Sequence, residues 1–195
     1  MIPDQRSLIQ FLQHTTPMNH EMVNTITETF HQKEFTKGDF FLKDGKVSNE
    51  YLFLEKGYMR AFLPDTEGNE VTVNFYSPNS VVFEVSSFFQ RIPTQEKIQA
   101  LSDCIGWAIS FEELNTLFHT IPEFREFGRA ILVKGFVALK IRTLAMINKT
   151  AEQRYASLLQ TNPDLFQHIP LKYIASYLGL TDTSLSRIRK AFSKK

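Results

Sequence analysis

Between residues 31 and 110 the chain breaks into eight short runs of alternating apolar and polar residues, and this rhythm limits its fold more than any other feature. The runs are 31–35, 40–42, 51–54, 58–63, 70–76, 80–83, 97–101 and 105–110. Their breakers are Lys37-Gly38-Asp39, Asp44-Gly45, Lys56-Gly57, Pro64-Asp65-Thr66-Glu67-Gly68-Asn69 and Ser77-Pro78-Asn79. Period-two alternation between such turns reads as strands. Eight short strands at regular intervals predict a closed or rolled all-β unit.

Helical spacing flanks this unit on both sides. Leu8, Phe11 and Leu12, then Met22, Val23, Ile26 and Phe30, supply apolar faces to segments 7–13 and 19–30. A short helix is expected over 111–118, and Pro122 opens a long one reaching Asn148, because a first-turn position tolerates its missing N–H. Two stripes run along the long helix. Leu132, Phe136, Leu139, Thr143 and Met146 follow the 4-3-4-3 spacing of a helix–helix seam. Val133, Val137, Ile141 and Leu144 form an adjoining face expected to pack on the roll. Two stripes exceed what a surface helix needs for its own domain, so the first is assigned to a dimer interface; a helix buried between roll and tail is the alternative. Gly128 and Gly135 weaken this helix and leave room for close approach. Thr150-Ala151-Glu152-Gln153 has capping-box spacing and starts a further helix. The expected architecture is α+β: a jelly-roll-like unit over 1–120, a long helix over 121–149 and a small helical unit over 150–195, with a boundary near residues 148–150.

The last segment carries the most informative motif. Pro170 can open a short helix in which Ile174 and Leu178 share a face and Ala175 permits a close crossing. Gly179 suits the left-handed conformation that ends helices. Thr181 then stands where an N-cap is wanted, with Asp182 in the next first turn. Leu185 and Ile188 face inward and leave Thr183, Ser184, Ser186, Arg187, Arg189 and Lys190 outward. Short polar groups followed by cations suit base edges and phosphates. An ordinary helical hairpin with solvated basic residues is the bland alternative.

Net charge of +1 conceals an asymmetry. Residues 168–195 hold six Lys or Arg against the single acid Asp182, a surplus of +5 that leaves −4 for the rest. A basic tail on an acidic body fits a tail that approaches phosphate. No apolar run nears the ~20 residues of a membrane span, and residues 1–10 lack the apolar core of a secretory leader. The lone Cys104 excludes an intrachain disulfide and a cysteine-ligated cluster within one chain. These features predict a cytoplasmic location.

The run Ile174-Ala175, Gly179, Thr181, Leu185, Arg187 and Ile188 resembles the helix-turn-helix of the Crp/Fnr-type transcription regulators. The stretch from Gly38 to Gly45, followed by Tyr51-Leu52-Phe53-Leu54-Glu55-Lys56-Gly57, looks like the start of the cyclic-nucleotide-binding β-roll of that family. The order of roll, long helix and helix-turn-helix is also the family's, so the resemblance spans nearly the whole chain. It implies a homodimer bound to double-stranded DNA, and leaves RNA polymerase as a further partner. It also implies that Arg187 matches a base-reading arginine. Relatives can carry an arginine at the position of Asp182, so the preferred sequence should differ. The chain stops soon after Phe192, so the strands of a C-terminal wing are expected to be missing.

Family members hold the cyclic nucleotide with a Gly-Glu pair on a short helix and an Arg followed by Ser or Thr. Here Glu84 has no preceding glycine, and Thr94-Gln95-Glu96 stands where Arg-Ser or Arg-Thr is expected; Arg91 precedes Pro93, out of register. A phosphate facing Glu96 without a matched arginine would be poorly compensated, which argues against cyclic AMP or cyclic GMP as effector. A remaining effector pocket would involve Tyr76, Phe83, Glu84, Phe88, Phe89, Thr94 and Gln95. The alternative is that these aromatics, part of eighteen phenylalanines in the chain, fill the core. The effector is left unassigned.

Rolled β units also house metal-dependent cupins. The five histidines, His14, His20, His31, His119 and His168, include no His-x-His pair and none on the central strands. No nucleophile–base constellation or phosphate loop is present either. No catalytic residue, metal or cofactor is therefore assigned. The DNA-facing set is Lys172, Thr181, Asp182, Thr183, Ser184, Ser186, Arg187, Arg189 and Lys190, with Arg187 as guanine reader and Lys172, Arg189 and Lys190 on phosphates. The competing readings are a ligand- or protein-binding roll without DNA activity, and a small cupin-like enzyme.

Overall fold

The computed structural model describes residues 4–192. Residues 1–3, at the start of the stretch read for a leader, and residues 193–195, with two of the tail cations, lie outside it. Two helices open the chain, α1 (Arg6–Thr15) and α2 (His20–Glu28). The Asn19 side chain accepts from the Met22 N–H at 2.9 Å and so satisfies an otherwise orphaned donor at the start of α2.

Eight strands follow: β1 (His31–Phe35), β2 (Phe40–Leu42), β3 (Glu50–Lys56), β4 (Met59–Pro64), β5 (Glu70–Tyr76), β6 (Ser80–Val82), β7 (Lys97–Ala100) and β8 (Cys104–Ser110). A short helix that the alternation pattern does not reveal, α3 (Val85–Gln90), interrupts them between β6 and β7. The strands form two antiparallel four-stranded sheets, ordered β1-β8-β3-β6 and β2-β7-β4-β5. Between the sheets lies a core of Leu42, Leu52, Leu54, Met59, Ala61, Val82, Ile98 and Ala108. Glycine is required at the β3–β4 turn: Gly57 has φ +94°, and a Cβ there would stand 2.4 Å from the Asp103 carbonyl oxygen.

The outer face of the first sheet is covered by α1, α2, α4 (Phe111–Thr120) and the start of α5 (Pro122–Asn148). Leu8, Leu12, Ile26, Phe53, Trp107, Leu114, Phe124 and Phe127 close this second core. The α5 helix lies on it only through its first turns. Gly128 lets the helix approach α4, since a Cβ there would meet the Phe118 ring at 2.6 Å.

Past Ile131 the apolar contact of α5 with the roll ends, and Arg142 reaches back to β5 by a hydrogen bond to the Thr72 carbonyl. Val133, Val137, Ile141 and Leu144, expected to pack on the roll, are instead 51, 47, 61 and 48 % exposed. The apolar ground beneath α5 ends with the Phe124–Ile131 contacts, so the second stripe has nothing to cover it.

The remaining helices are α6 (Ala151–Thr161), α7 (Leu165–His168), α8 (Leu171–Tyr177) and α9 (Asp182–Phe192). The expected capping box is present: the Gln153 N–H donates to Thr150 Oγ1 at 3.3 Å, and the Thr150 N–H to Gln153 Oε1 at 2.9 Å. A third core joins Tyr155, Leu158, Leu165, Ile169, Ile174, Ala175, Leu178, Leu185 and Ile188. Leu101 of the roll is buried in this core, with Tyr58 and Phe75 packed against it. The terminal helices therefore share apolar packing with the roll.

Candidate nucleic-acid interface and sensor cassette

Ile174 and Ala175 of α8 are fully buried, and Leu178 nearly so, against Leu185 and Ile188 of α9. The turn between these helices is fixed by backbone geometry. Gly179 has φ +66°, and the Leu180 N–H donates back to the Ala175 carbonyl at 2.9 Å. Thr181 caps α9 as its spacing predicts, accepting from the Ser184 N–H at 3.2 Å. The Thr181 hydroxyl also bonds Ser184 Oγ at 2.9 Å, so Ser184 is half-buried and engaged in the cap. Thr181, Asp182, Thr183, Ser186, Arg187, Arg189 and Lys190 are exposed, with Thr183, Ser186, Arg187 and Lys190 on the face of α9 away from Leu185 and Ile188 and Thr181, Asp182 and Arg189 nearer its flanks. Lys172 is exposed on α8, its ammonium 4.9 Å from the Tyr173 ring centre. The result is a polar, cationic helix face presented on a rigid apolar base.

The cassette region is built differently from a phosphate cradle. Glu84 caps α3, its carboxylate accepting from the Ser86 and Ser87 N–H groups at 3.1 and 2.6 Å. The Arg91 guanidinium points to the β2–β3 loop, donating to the carbonyls of Ser48 (2.8 Å) and Phe88 (3.2 Å) and to Asn49 Oδ1, and it stacks 4.1 Å above Phe111. Thr94 is buried and braces the same loop, its N–H donating to the Lys46 carbonyl at 2.8 Å.

Burial, and then the neighbouring Glu84 charge, hold the Glu96 carboxyl above its ordinary range. Burial likewise pushes the Tyr76 phenol upward, and its OH donates to the Phe83 carbonyl at 3.3 Å. Phe83, Phe88 and Phe89 interlock edge to face, with centroids 5.2–6.1 Å apart. Phe88 is completely buried, Phe89 is 40 % exposed and Gln95 is exposed.

Two surface cavities are present, the second beside the loop that Arg91 and Thr94 brace. One of about 400 Å³ is lined by Gln13, Pro17, Met18, Asn19, Met22 and Glu123. Another of about 350 Å³ runs along β2 and the following loop past Phe40, Lys43, Lys46 and Ser48. Among the described residues no three His, Cys, Asp or Glu side chains gather as a metal set, and no helix is long and apolar enough to cross a membrane.

The outer half of α5 forms a bare apolar face. Leu132, Phe136, Leu139 and Met146 of the expected seam are 38, 67, 58 and 42 % exposed, and Ile147 reaches 78 %. Thr143, the polar member, satisfies its hydroxyl within the helix by donating to the Leu139 carbonyl at 2.9 Å. A Cβ at Gly135 would meet nothing within 4 Å.

Sequence reasoning missed a polar junction where β4, β5, α5 and α8 converge. Arg60 of β4 is 1 % exposed, its guanidinium held between the rings of Phe62 (3.8 Å) and Tyr173 (3.6 Å) and paired with Glu70. Ser176 Oγ accepts from the Thr72 N–H at 2.9 Å and donates to the Glu70 carbonyl at 3.1 Å. Arg142 Nη2 donates to the carbonyls of Tyr177 (3.1 Å) and Thr72 (3.4 Å), with the guanidinium 4.4 Å from the Tyr177 ring centre. The available signal was a single arginine inside an otherwise apolar strand, and another inside an apolar stretch of helix.

Residues 32–120 match the cyclic nucleotide-binding domain family. A search of curated proteins finds no match. Among solved structures, FixK2 from Bradyrhizobium japonicum aligns with a TM-score of 0.75 at 17 % identity, covering 85 % of each chain. CLP of Xanthomonas campestris, a c-di-GMP responsive global regulator, aligns with a TM-score of 0.70 at 15 % identity, over 90 % of this chain and 92 % of that one. A putative transcriptional regulator of the Crp/Fnr family from Eubacterium rectale gives a TM-score of 0.71 at 17 % identity, over 92 % and 88 %. The chain thus matches the cyclic nucleotide-binding domain family over residues 32–120 and shares, along most of its length, the fold of the Crp/Fnr-type transcription regulators.

Proposed function

We propose that this protein is a homodimeric, sequence-specific DNA-binding transcription regulator that reads an inverted repeat through α9. The observation that carries this reading is the division of α9 into a buried Leu185–Ile188 face and an exposed polar and cationic face. Arg187 is the guanine reader, because its planar fork can take O6 and N7 together. Thr183 and Ser186 contact edges or backbone, and Lys172, Arg189 and Lys190 neutralise phosphates. Asp182 favours the helix N-terminus by its charge. Ser184, engaged with the Thr181 cap, contributes mainly by holding that cap in place.

Dimerisation through α5 is supported by its uncovered apolar length. A twofold pair would place two α9 helices roughly 34 Å apart, one turn of DNA. We read the roll as not controlled by an anionic cyclic nucleotide, with a different effector or none in its place. A phosphate in the cassette would face Glu84 and Glu96, while Arg91 is committed to the β2–β3 loop.

Selection of fragmented genomic DNA by the purified protein at about 150 mM salt tests the reading. Enrichment of an inverted repeat with half-sites near ten base pairs apart is expected. The absence of enrichment, with and without added cell extract, would instead favour a roll that binds a ligand or protein and does not read DNA.

A further inference from the structure

We propose that the junction between the roll and the helix-turn-helix fixes the half-site spacing that the dimer accepts, with Arg142 as its pivot. The proposal rests on the DNA-binding reading of α9 and adds a determinant that touches no DNA. The reading helix shares a core with α8. In turn, α8 is pinned to β5, a free sheet edge, by one hydroxyl that bonds two of its backbone groups. Arg142 joins the same strand to the last residue of α8. Arg154 adds a further tie: Nε donates to the Leu178 carbonyl at 3.1 Å and Nη1 to the Lys149 carbonyl at 2.9 Å, joining the end of α8 to the joint between α5 and α6.

Most of these bonds end on main-chain oxygens or nitrogens, so they hold the frame of α8 itself. Arg142 rises from the stretch of α5 whose neighbours Leu139, Ile141 and Leu144 are bare. The path from the proposed dimer face to the reading helix therefore runs through the planar side chain of Arg142, beside the tie made by Arg154 and the core that α6 shares with α8 and α9.

Holding the unit in place would not need this chemistry. Nε and Nη1 of Arg60, Nε of Arg142 and the Thr72 hydroxyl are buried without a hydrogen-bond partner. Apolar residues would hold the surfaces together at lower desolvation cost. What directed bonds add is one orientation, and in a twofold dimer one orientation is one spacing. A unit free to swing about residues 149–150 would accept several.

The test uses full-length protein and pairs of its best half-site separated by spacers varied one base pair at a time. Affinity is measured by fluorescence anisotropy for wild type, Arg142→Met and Ser176→Ala, with circular dichroism and sedimentation confirming folded dimers. The wild type is expected to prefer one spacing by about 20-fold or more over spacers two base pairs longer or shorter. Each variant should bind an isolated half-site within about threefold of wild type while its spacing preference falls below about fivefold. Variants that keep the wild-type profile, or a wild type indifferent to spacing, overturn the proposal. A wild type that binds no half-site refutes the DNA-binding reading instead.

Discussion

Replacing Phe136 with alanine probes the bare face of α5 at its most exposed aromatic residue. Complete burial of a phenylalanine contributes about 3 kcal/mol at roughly 25 cal/mol per Å² of apolar surface. Phe136 is 67 % exposed in the single chain, so about 2 kcal/mol of that burial is left for a partner to supply. Twofold symmetry applies the loss twice, giving about 4 kcal/mol and a dimer dissociation constant raised about 1,000-fold. Phe136 belongs to none of the three apolar cores, so the single chain should keep its stability within about 0.5 kcal/mol. Sedimentation equilibrium across a concentration series measures the dissociation constant, and thermal unfolding at the lowest concentration checks the fold. A dissociation constant changed less than about tenfold, with the fold intact, would refute the assignment of this face to the dimer.

Other consequences can be checked separately. Arg187→Ala should cost about 1–3 kcal/mol on specific DNA and relax preference at one base pair; equal loss on random DNA would remove its assignment as a reader. Lys190→Ala should weaken specific and random DNA alike and lower the salt slope by about one, read from affinities at several salt concentrations. The Glu96 carboxyl titrates above its ordinary 4.5 in the folded protein, so its ionised form opposes folding at neutral pH and the opposition fades as pH falls through that window toward 4.5. Glu96→Gln should therefore raise the melting temperature at pH 7 and lose that advantage near pH 4. A constant offset across the range would contradict burial as the cause.

The strands were legible because turns and alternation agree. Gly38, Gly45, Gly57 and Gly68 all take positive φ at the predicted breaks. The ends of β1, β2, β5 and α5 fall where the sequence places them, and the Thr150–Gln153 capping box is present. What stayed hidden depends on tertiary context. The six residues of α3 are too few for helical periodicity to declare itself, and Glu84, weighed as a ligand residue, caps that helix. The second α5 stripe read as a roll contact because periodicity reveals an apolar face without revealing what covers it. Of the candidate site, the inward and outward faces of α9 follow from spacing alone. Ser184's engagement and the burial of Arg60 do not, since both depend on partners distant in space or on cap geometry.

The seating of Ser176 of α8 against β5 also bears on how the roll behaves when severed from its tail. A strand at a sheet margin offers unpaired N–H and C=O groups to any passing chain, and Val71, Val73 and Phe75 give β5 the β-branched and aromatic character that favours such recruitment. With α8 seated there, the helix-turn-helix serves as the roll's guard against self-association. A fragment ending at residue 148 would bring its roll into solution with that margin uncovered, and strand-to-strand aggregation is the expected fate.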